Sequence, residues 1–139
     1  MKIIIDTNII FSFLLKEESE FRKFIFFSND INFYTCRYSI IELFKLKDKL
    51  LKYSKLSEDK LLNSLYKLLK VIELYNEDLI SEKSLKIAYE LCKEIDEKDT
   101  IFVALTLELN GLLWTGDKKL INHLKSKNFN KFFNLRGGK

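Results

Sequence analysis

The sequence predicts an α/β fold in which helices cover both faces of a central, mostly parallel sheet. Short and almost wholly apolar runs, such as KIIID at residues 2–6 and LLWT at residues 112–115, are typical of strands buried on both faces. Segments with apolar residues at helical spacing alternate with these runs, as in strands joined by covering helices. The length of 139 residues suits one core, so we expect a single domain over residues 1–139.

The first third of the chain predicts two strands separated by helices. Residues 8–15, and residues from about 18 to 27, predict two helices. The cluster Ser28-Asn29-Asp30 is typical of a turn. Residues 31–36 predict the second strand, and residues from 39 to about 51 predict a third helix.

The middle of the chain predicts a pair of helices inserted between the early and the late strands. The first has a clean apolar stripe, formed by Leu61, Leu62, Leu65, Leu68, Leu69 and Ile72. The second has a looser stripe, formed by Ile80, Ile87, Ala88, Leu91, Cys92 and Ile95. Residues 71–74 give only a weak strand signal.

The last third returns to alternating helices and strands. Residues 99–109 predict a strongly apolar helix, and Asn110-Gly111 is a good signal for its end. Residues 112–115 then predict the third strand, and residues from 117 to about 125 predict a helix. Residues 131–135 predict a last strand at the edge of the sheet.

Composition narrows the class of protein. Hydrophobic residues make up 47% and charged residues 32%, a balance typical of soluble globular proteins. The apolar stretches are far shorter than the roughly 20 residues that span a bilayer. Asp6 and Asn8 interrupt the apolar N-terminus, and no small-residue cleavage site follows, which argues against a signal peptide. We therefore expect a cytoplasmic protein with no membrane partner.

Several common catalytic arrangements are missing from the sequence. Cys36 and Cys92 have no CxxC partner or neighbouring histidine, so we expect buried thiols rather than a disulfide or a zinc site. The single histidine, His123, argues against a histidine-based metal site or a Ser-His-Asp triad. The absence of GxxxxGK excludes a P-loop, and no GxGxxG follows the first strand. Asn8 stands where a haloacid-dehalogenase phosphatase carries its second aspartate.

Four acidic residues stand where strand-like runs end or apolar helices begin, namely Asp6, Glu42, Asp99 and Asp117. Ligands of parallel sheets bind at the carboxyl ends of the strands, so we expect the four carboxylates to meet at that edge. Gly116 would allow the backbone to approach closely there. Converging carboxylates repel each other unless a cation lies between them. Hard oxygen ligands of this kind suit Mg²⁺ or Mn²⁺ rather than zinc.

Each acid also has a simpler explanation as a helix cap. The acids at the two strand ends could cap the helices that follow them. Ser39 with Glu42 matches the S-x-x-E capping box, and Asp96 with Asp99 has similar spacing. Taken singly, each acid favours capping, whereas the four together favour a cation site.

The charge balance leaves a nucleic-acid partner open. The net charge is +4, from 24 basic and 20 acidic residues. If several acids are pooled in one cleft, the remaining surface must be more basic than this total, which suits a polyanion such as nucleic acid. Solvated faces of a lysine-rich chain explain the same charge without a ligand.

These residues resemble the PIN-domain family of small metal-dependent ribonucleases, which includes VapC-type toxins. The matching segments are IIIDTNII, YSIIELF and DTIFVALTLELNGLLWTGDKKL, with the helical pair between them. Their order and separations agree with the family over nearly the whole chain. The resemblance implies a three-layer α/β/α fold and one or two Mg²⁺ or Mn²⁺ ions. It also implies that these ions are bound by Asp6, Glu42, Asp99 and Asp117.

The resemblance assigns roles to further residues. Asp96 would join the metal ligands or cap the last apolar helix, and Asn8 and Thr115 would support the ligands. Lys118 and Lys119 could contact substrate phosphates or simply form a solvated helix face. The sequence DEKD at residues 96–99 departs from common toxin sequences, which leaves the ligand set and the toxin function open.

The implied activity is metal-dependent hydrolysis of RNA, in which an activated water attacks phosphorus in line and leaves 5′-phosphate and 3′-hydroxyl ends. Expected partners are RNA, a second copy of the chain and, for a toxin, an antitoxin protein. Exposed members of Phe21, Phe24, Phe26 and Phe27 could form the dimer interface, although we expect most of them in the core. Two alternatives stay open: a non-catalytic PIN-like module that binds RNA or a protein, and a structural domain whose acids only cap helices.

Overall fold

A computed structural model describes residues 1–16 and 19–135. Its strands are β1 (Lys2–Ile5), β2 (Asn32–Cys36), β3 (Ile72–Tyr75) and β4 (Leu112–Trp114). Its α-helices are α1 (Thr7–Leu15), α2 (Glu20–Phe27), α3 (Tyr38–Lys45), α4 (Lys47–Ser54), α5 (Glu58–Leu69), α6 (Glu82–Cys92), α7 (Thr100–Leu109) and α8 (Lys118–Ser126). The 3₁₀ turns Glu77–Leu79 and Glu97–Asp99 precede α6 and α7. None of the helices in these two ranges has the length and apolar character needed to cross a bilayer.

The four strands form one parallel sheet in the order β3-β2-β1-β4. β1 lies inside the sheet, where Ile3 is in register with Phe33 of β2 and with Leu112 of β4. The predicted parallel sheet is therefore confirmed. Because all strands point the same way, their carboxyl ends share one edge of the sheet.

Helices cover both faces of the sheet and complete the three layers. On one face, Ile3 and Ile5 of β1 pack with α1 to α5 and with the fully buried Phe13. On the other face, Ile4 packs with α6, α7 and α8, which contribute residues such as Val103. Alternate residues of β1 thus enter different cores, because successive side chains of a strand point to opposite faces. This explains why the strand is apolar at every position between its ends.

The predicted insertion of a helical pair is wrong. α5 and α6 are separated by β3, which pairs with β2 at the edge of the sheet. α5 packs in the core on one face and α6 in the core on the other. Ile72, which extended the helical stripe, is the first residue of β3, since pairing with Phe33 prevails over local periodicity.

The single helix predicted over residues 39–51 is instead two helices, α3 and α4. They meet at Leu46, whose φ of −96° and ψ of 5° lie outside the helical region. The Leu46 amide still donates to the carbonyl oxygens of Glu42 and Leu43, both at 3.1 Å. The break is therefore a tight bend that changes the direction of the chain.

Two terminal boundaries also differ from the prediction. The last strand, predicted over residues 131–135, is a single parallel bridge between Leu113 and Phe132. Glu18, near which the second helix was predicted to start, lies outside the described residues, and α2 begins at Glu20. The end of α7 is as predicted, because Asn110 adopts the left-handed conformation that stops a helix.

The cysteines and the histidine have structural surroundings. Cys36 and Cys92 are buried and form no disulfide, as predicted. Burial raises the pKa of both thiols, that of Cys92 to about 12, so neither is a ready nucleophile. His123 lies on α8 with Nε2 3.1 Å from the carbonyl oxygen of Leu91.

The phenylalanines of α2 divide between the core and the surface. Phe21, Phe24 and Phe26 are partly buried against the core, which confirms the core role expected for most of them. Phe27 is 79% exposed. It is therefore the member of this group that is available for an interface.

Candidate functional site

The carboxyl edge of the sheet brings the four predicted acids within electrostatic reach of one another. A small pocket at this edge is lined by Asp6, Thr7, Asn8, Glu42, Lys98, Asp99 and Phe102. We call it the acid pocket. Asp117 does not line it, but its charge raises the pKa of both Asp6 and Asp99.

Asp6 is the most enclosed of these acids, with 5% of its surface exposed. Its Oδ1 accepts a hydrogen bond from the Ile9 amide at 3.0 Å, so it caps α1. Burial raises the pKa of Asp6 to about 6, against the opposing effect of hydrogen bonds from Thr115 and Ile9. The charges of Asp117 and Glu42 raise this pKa further. The carboxylate is therefore held where its own charge is disfavoured.

Asp99 lies in a similar electrostatic environment. It is half-buried at the end of the second 3₁₀ turn and makes no capping hydrogen bond to α7. Burial, followed by four neighbouring carboxylates, raises the pKa of Asp99 to about 7. These neighbours are Asp96, Asp6, Asp117 and Glu42. Without a cation, Asp99 is therefore partly protonated near neutral pH.

A chain of buried hydroxyl groups fixes Glu42. The Thr7 hydroxyl donates to Glu42 Oε1 at 2.5 Å and lies 3.2 Å from Ser39 Oγ. Ser39 Oγ is 2.9 Å from Thr35 Oγ1, and the Thr35 hydroxyl donates to the Ile5 carbonyl oxygen at 2.6 Å. Thr7, Ser39 and Thr35, which we call the hydroxyl chain, are all buried. The chain ties α3, and with it Glu42, to the ends of β1 and β2.

The predicted capping box at Ser39 and Glu42 is wrong. α3 begins at Tyr38, and its N-cap residue, Arg37, provides no side-chain cap. Instead, a carboxylate oxygen of Glu77 accepts a hydrogen bond from the Tyr38 amide at 2.9 Å. Because Glu77 comes from the turn after β3, no local pattern indicates it. Glu42 is thereby left to face the acid pocket.

Asp117 and Asp96 both cap helical segments. Asp117 Oδ1 accepts from the Leu120 amide at 3.2 Å at the start of α8, and the Asp117 amide donates to Thr115 Oγ1 at 3.2 Å. Asp96 is exposed, and its Oδ1 accepts from the Lys98 amide at 2.9 Å. Capping and membership of the acid cluster are therefore compatible at Asp117.

Gly111 and Gly116 differ in the space that is available for a side chain. A Cβ added at Gly116 would meet no atom within 4 Å, so the expected close backbone approach at this residue is wrong. A Cβ at Gly111 would lie 2.7 Å from the Lys2 carbonyl oxygen and 2.6 Å from Ile4 Cδ1. The close approach is therefore at the start of β4, one strand length away from Asp117.

The remaining predicted residues lie at different distances from the pocket. Asn8 is exposed and lines it, and Thr115 is buried behind Asp6. Lys118 and Lys119 are exposed on the first turn of α8 and are not among the residues that line the pocket. Lys98 does line it, although the sequence offered only its position next to Asp99 as a signal.

The donor set at this edge fits a hard divalent cation. It consists of carboxylates and hydroxyl groups, and the raised pKa values of Asp6 and Asp99 are ones that a bound cation would lower. Across residues 1–16 and 19–135, no three Asp, Glu, His or Cys side chains are placed to hold one ion together. The chemistry of the donor set therefore fits a divalent ion, although the described side chains do not form a complete ligand set.

Two larger concavities lie away from the acids. One is an apolar groove between α3, α4 and α5, lined in part by Leu14, Phe44, Lys47 and Leu62. The other lies beside β2 and β3, at the outer edge of the sheet. Neither is lined by more than one acid, so the acid pocket is the better candidate for catalysis.

Comparison with known proteins identifies one family. The family model described as PIN domain matches residues 4–132, a range that contains the second half of β1, the other three strands and all four acids. No curated protein gives a significant match to the chain.

Proposed function

Because the chain belongs to the PIN-domain family, we propose that it is a metal-dependent endoribonuclease that hydrolyses phosphodiester bonds in RNA. PIN domains are generally nucleases and typically use divalent metal ions. The observation that carries the proposal is the acid pocket, where Asp6 and Asp99 are held with raised pKa values beside further carboxylates. Such an arrangement is typical of functional sites rather than of helix caps alone.

We assign different roles to the four acids according to their surroundings. A bound divalent ion would neutralise the carboxylates and the scissile phosphate and would acidify a water molecule. We assign Asp6 and Asp99 as its main ligands, since burial fixes their positions. Glu42 and Asp117 would bind a second ion or orient the water.

Glu42 is suited to accept a proton from that water. Its Oε1 is occupied by the Thr7 hydroxyl at 2.5 Å. Among the residues that the structure describes, no hydrogen-bond donor contacts its Oε2. Oε2 is therefore the oxygen that can take the proton, while Thr7 keeps the carboxylate in place.

The test uses Asp6→Asn and Asp99→Asn. Each variant should fold, because Asn at residue 6 can still cap α1 and Asn at residue 99 relieves repulsion from the neighbouring carboxylates. Each variant should lose Mn²⁺-dependent cleavage of a single-stranded RNA. Glu82→Gln is the control, since this side chain is 84% exposed on α6. Wild-type cleavage rates in both pocket variants would refute the proposed site.

A non-catalytic PIN module that binds RNA or a protein is the second candidate. The observation that favours it is the lack of three preplaced metal ligands among residues 1–16 and 19–135. Calorimetric titration with MnCl₂ separates the two candidates, because negligible heat at millimolar Mn²⁺ favours the non-catalytic module.

We extend the proposal to partners and location. RNA is the substrate, the protein acts in the cytoplasm, and two copies form a homodimer. A toxin function further requires an antitoxin, encoded by a short neighbouring gene. Light scattering measures the oligomeric state, and growth arrest on expression, relieved by the neighbouring gene, tests the toxin function.

A further inference from the structure

A lysine is one of the residues that line the acid pocket. Lys98 is exposed and lines the pocket together with Asp6, Glu42 and Asp99. A phosphate that enters the pocket meets these three carboxylates, which repel it. A positive side chain at the same place offsets that repulsion.

Among the residues that the structure describes, no salt bridge neutralises the charge of Lys98. The salt bridges among residues 1–16 and 19–135 use other lysines, namely Lys47, Lys86, Lys93 and Lys127. Lys98 is therefore available to an anion from solution.

The backbone of Lys98 is held in place by Asp96. Asp96 Oδ1 accepts from the Lys98 amide at 2.9 Å, and the Asp99 amide donates to the Asp96 carbonyl oxygen at 3.2 Å. Both hydrogen bonds close the 3₁₀ turn that leads into α7. Lys98 thus lies in an ordered turn, one residue before Asp99.

We propose that Lys98 binds a phosphate of the RNA at the acid pocket, and that Asp96 positions it as a turn cap rather than acting as a metal ligand. The inference rests on the proposed nuclease function. The ammonium group of a lysine suits this role, because it is a compact charge that needs no bidentate partner. Lys118 and Lys119, which do not line the pocket, are then dispensable for this contact.

The first experiment compares Lys98→Met with Lys98→Arg and with the control Lys86→Met on α6. Cleavage of a fluorescein-labelled single-stranded RNA in Mn²⁺ gives kcat and KM at several KCl concentrations. Lys98→Met should raise KM about tenfold and leave kcat within about twofold. In a plot of log KM against the logarithm of the KCl concentration, the slope for Lys98→Met should be smaller than that of the wild type by about 0.7. This difference corresponds to the loss of one phosphate contact. Lys98→Arg should restore KM, and Lys86→Met should match the wild type.

An unchanged KM and salt slope in Lys98→Met, with active wild type, overturns the inference. If the wild type cleaves no RNA, the proposed function fails, and fluorescence anisotropy with the same RNA in EDTA decides the role of Lys98. Weaker binding by Lys98→Met alone then supports the phosphate contact. Equal binding by wild type and Lys98→Met overturns it.

The second experiment tests Asp96. Asp96→Asn keeps the cap and should keep both KM and the Mn²⁺ affinity measured by calorimetry. Asp96→Ala removes the cap and should raise KM as Lys98→Met does, with Mn²⁺ affinity unchanged. A tenfold loss of Mn²⁺ affinity in Asp96→Asn would show that Asp96 is a ligand and would overturn its assignment as a positioning residue.

Discussion

Asp6 combines a helix cap and a buried charge in one side chain. The cap stabilises α1, whereas burial and neighbouring carboxylates raise the pKa of Asp6 to about 6. The cap and the proposed metal binding both favour the ionised carboxylate, whereas burial and the neighbouring carboxylates disfavour it. Substitution of Asp6 by Asn separates the cap from the proposed metal binding.

The raised pKa of Asp6 predicts that metal-free protein loses stability as the pH rises. The folded-state pKa is about 6 and the ordinary value is 3.8, so the fold favours the protonated form. The stabilisation is complete below about pH 4 and is lost as the pH rises through 6, a change of about 3 kcal/mol. Urea denaturation in EDTA at pH 4.5 and pH 7.5 measures it. Because other groups also titrate, the wild type is compared with Asp6→Asn, and identical pH profiles would contradict the prediction.

The two glycines beside β4 give a matched pair of substitutions. Gly111→Ala should destabilise the protein by about 1–3 kcal/mol, because the new Cβ overlaps the Lys2 backbone. Gly116→Ala should change stability by less than about 0.5 kcal/mol, because its Cβ meets open space. Urea denaturation midpoints of the two variants give the comparison. A larger loss at Gly116 than at Gly111 would be inconsistent with the packing described.

At the scale of single residues, the sequence predicted which acids lie at the sheet edge but not which side chains contact the site. Asp6 and Asp117 could be placed because each lies at or just past the end of an apolar strand, and parallel strands end at one edge. Glu77 and Lys98 could not be placed, because their roles depend on contacts with segments that only the folded chain brings together. The capping box at Ser39 failed for the same reason.

At the scale of elements, α3 depends on side chains outside it for its position. The hydroxyl chain joins Glu42 to Thr7 at the start of α1, and Thr35 joins α3 to β1. α3 has eight residues, so its intrinsic stability is small. Its orientation at the sheet edge therefore comes from these buried hydrogen bonds.

This dependence predicts a selective effect of Thr7 substitutions. Thr7→Val removes the hydroxyl that donates to Glu42 and should reduce kcat about tenfold, at a cost of about 1–2 kcal/mol in stability. Thr7→Ser keeps the hydroxyl and should retain most of the activity. RNA cleavage assays and urea denaturation measure the two quantities. Equal activity of the two variants would mean that the hydrogen bond does not orient Glu42.

The elements that sequence reasoning misplaced are those with ambiguous periodicity. Residues 71–74 gave only a weak strand signal because they continue the apolar stripe of α5, whereas pairing with β2 makes residues 72–75 a strand. The bend at Leu46 likewise has no glycine or proline to signal it. By contrast, Asn110-Gly111 marked the end of α7 correctly, because the left-handed conformation that stops a helix favours these residue types.

At the scale of the whole molecule, the class of fold could be predicted because β1 is apolar on both faces. Ile3, Ile4 and Ile5 are fully buried between two helical layers, and such burial requires an uninterrupted apolar run. The order of the strands and the assignment of helices to faces require long-range pairing. They could not be predicted from local patterns.

Ion binding should stabilise the whole domain. Binding to the folded state alone raises the free energy of unfolding, by about 2.7 kcal/mol at a hundred times Kd. Mn²⁺ should therefore raise the Tm of the wild type at pH 7.5, EDTA should reverse the rise, and Asp6→Asn should reduce it. Scanning calorimetry measures the shift. An unchanged Tm at millimolar Mn²⁺ would argue for the non-catalytic module.

The cap that Glu77 provides to α3 has a consequence for how the protein is made. The Tyr38 amide donates to the carboxylate of Glu77, which lies 39 residues further along the chain. Asp99 and Asp117 follow Glu77 in the sequence. During synthesis from the N-terminus, Glu42 therefore cannot reach its final environment until β3 and the turn after it have left the ribosome. We therefore expect the acid pocket to form only after almost all of the chain has emerged from the ribosome.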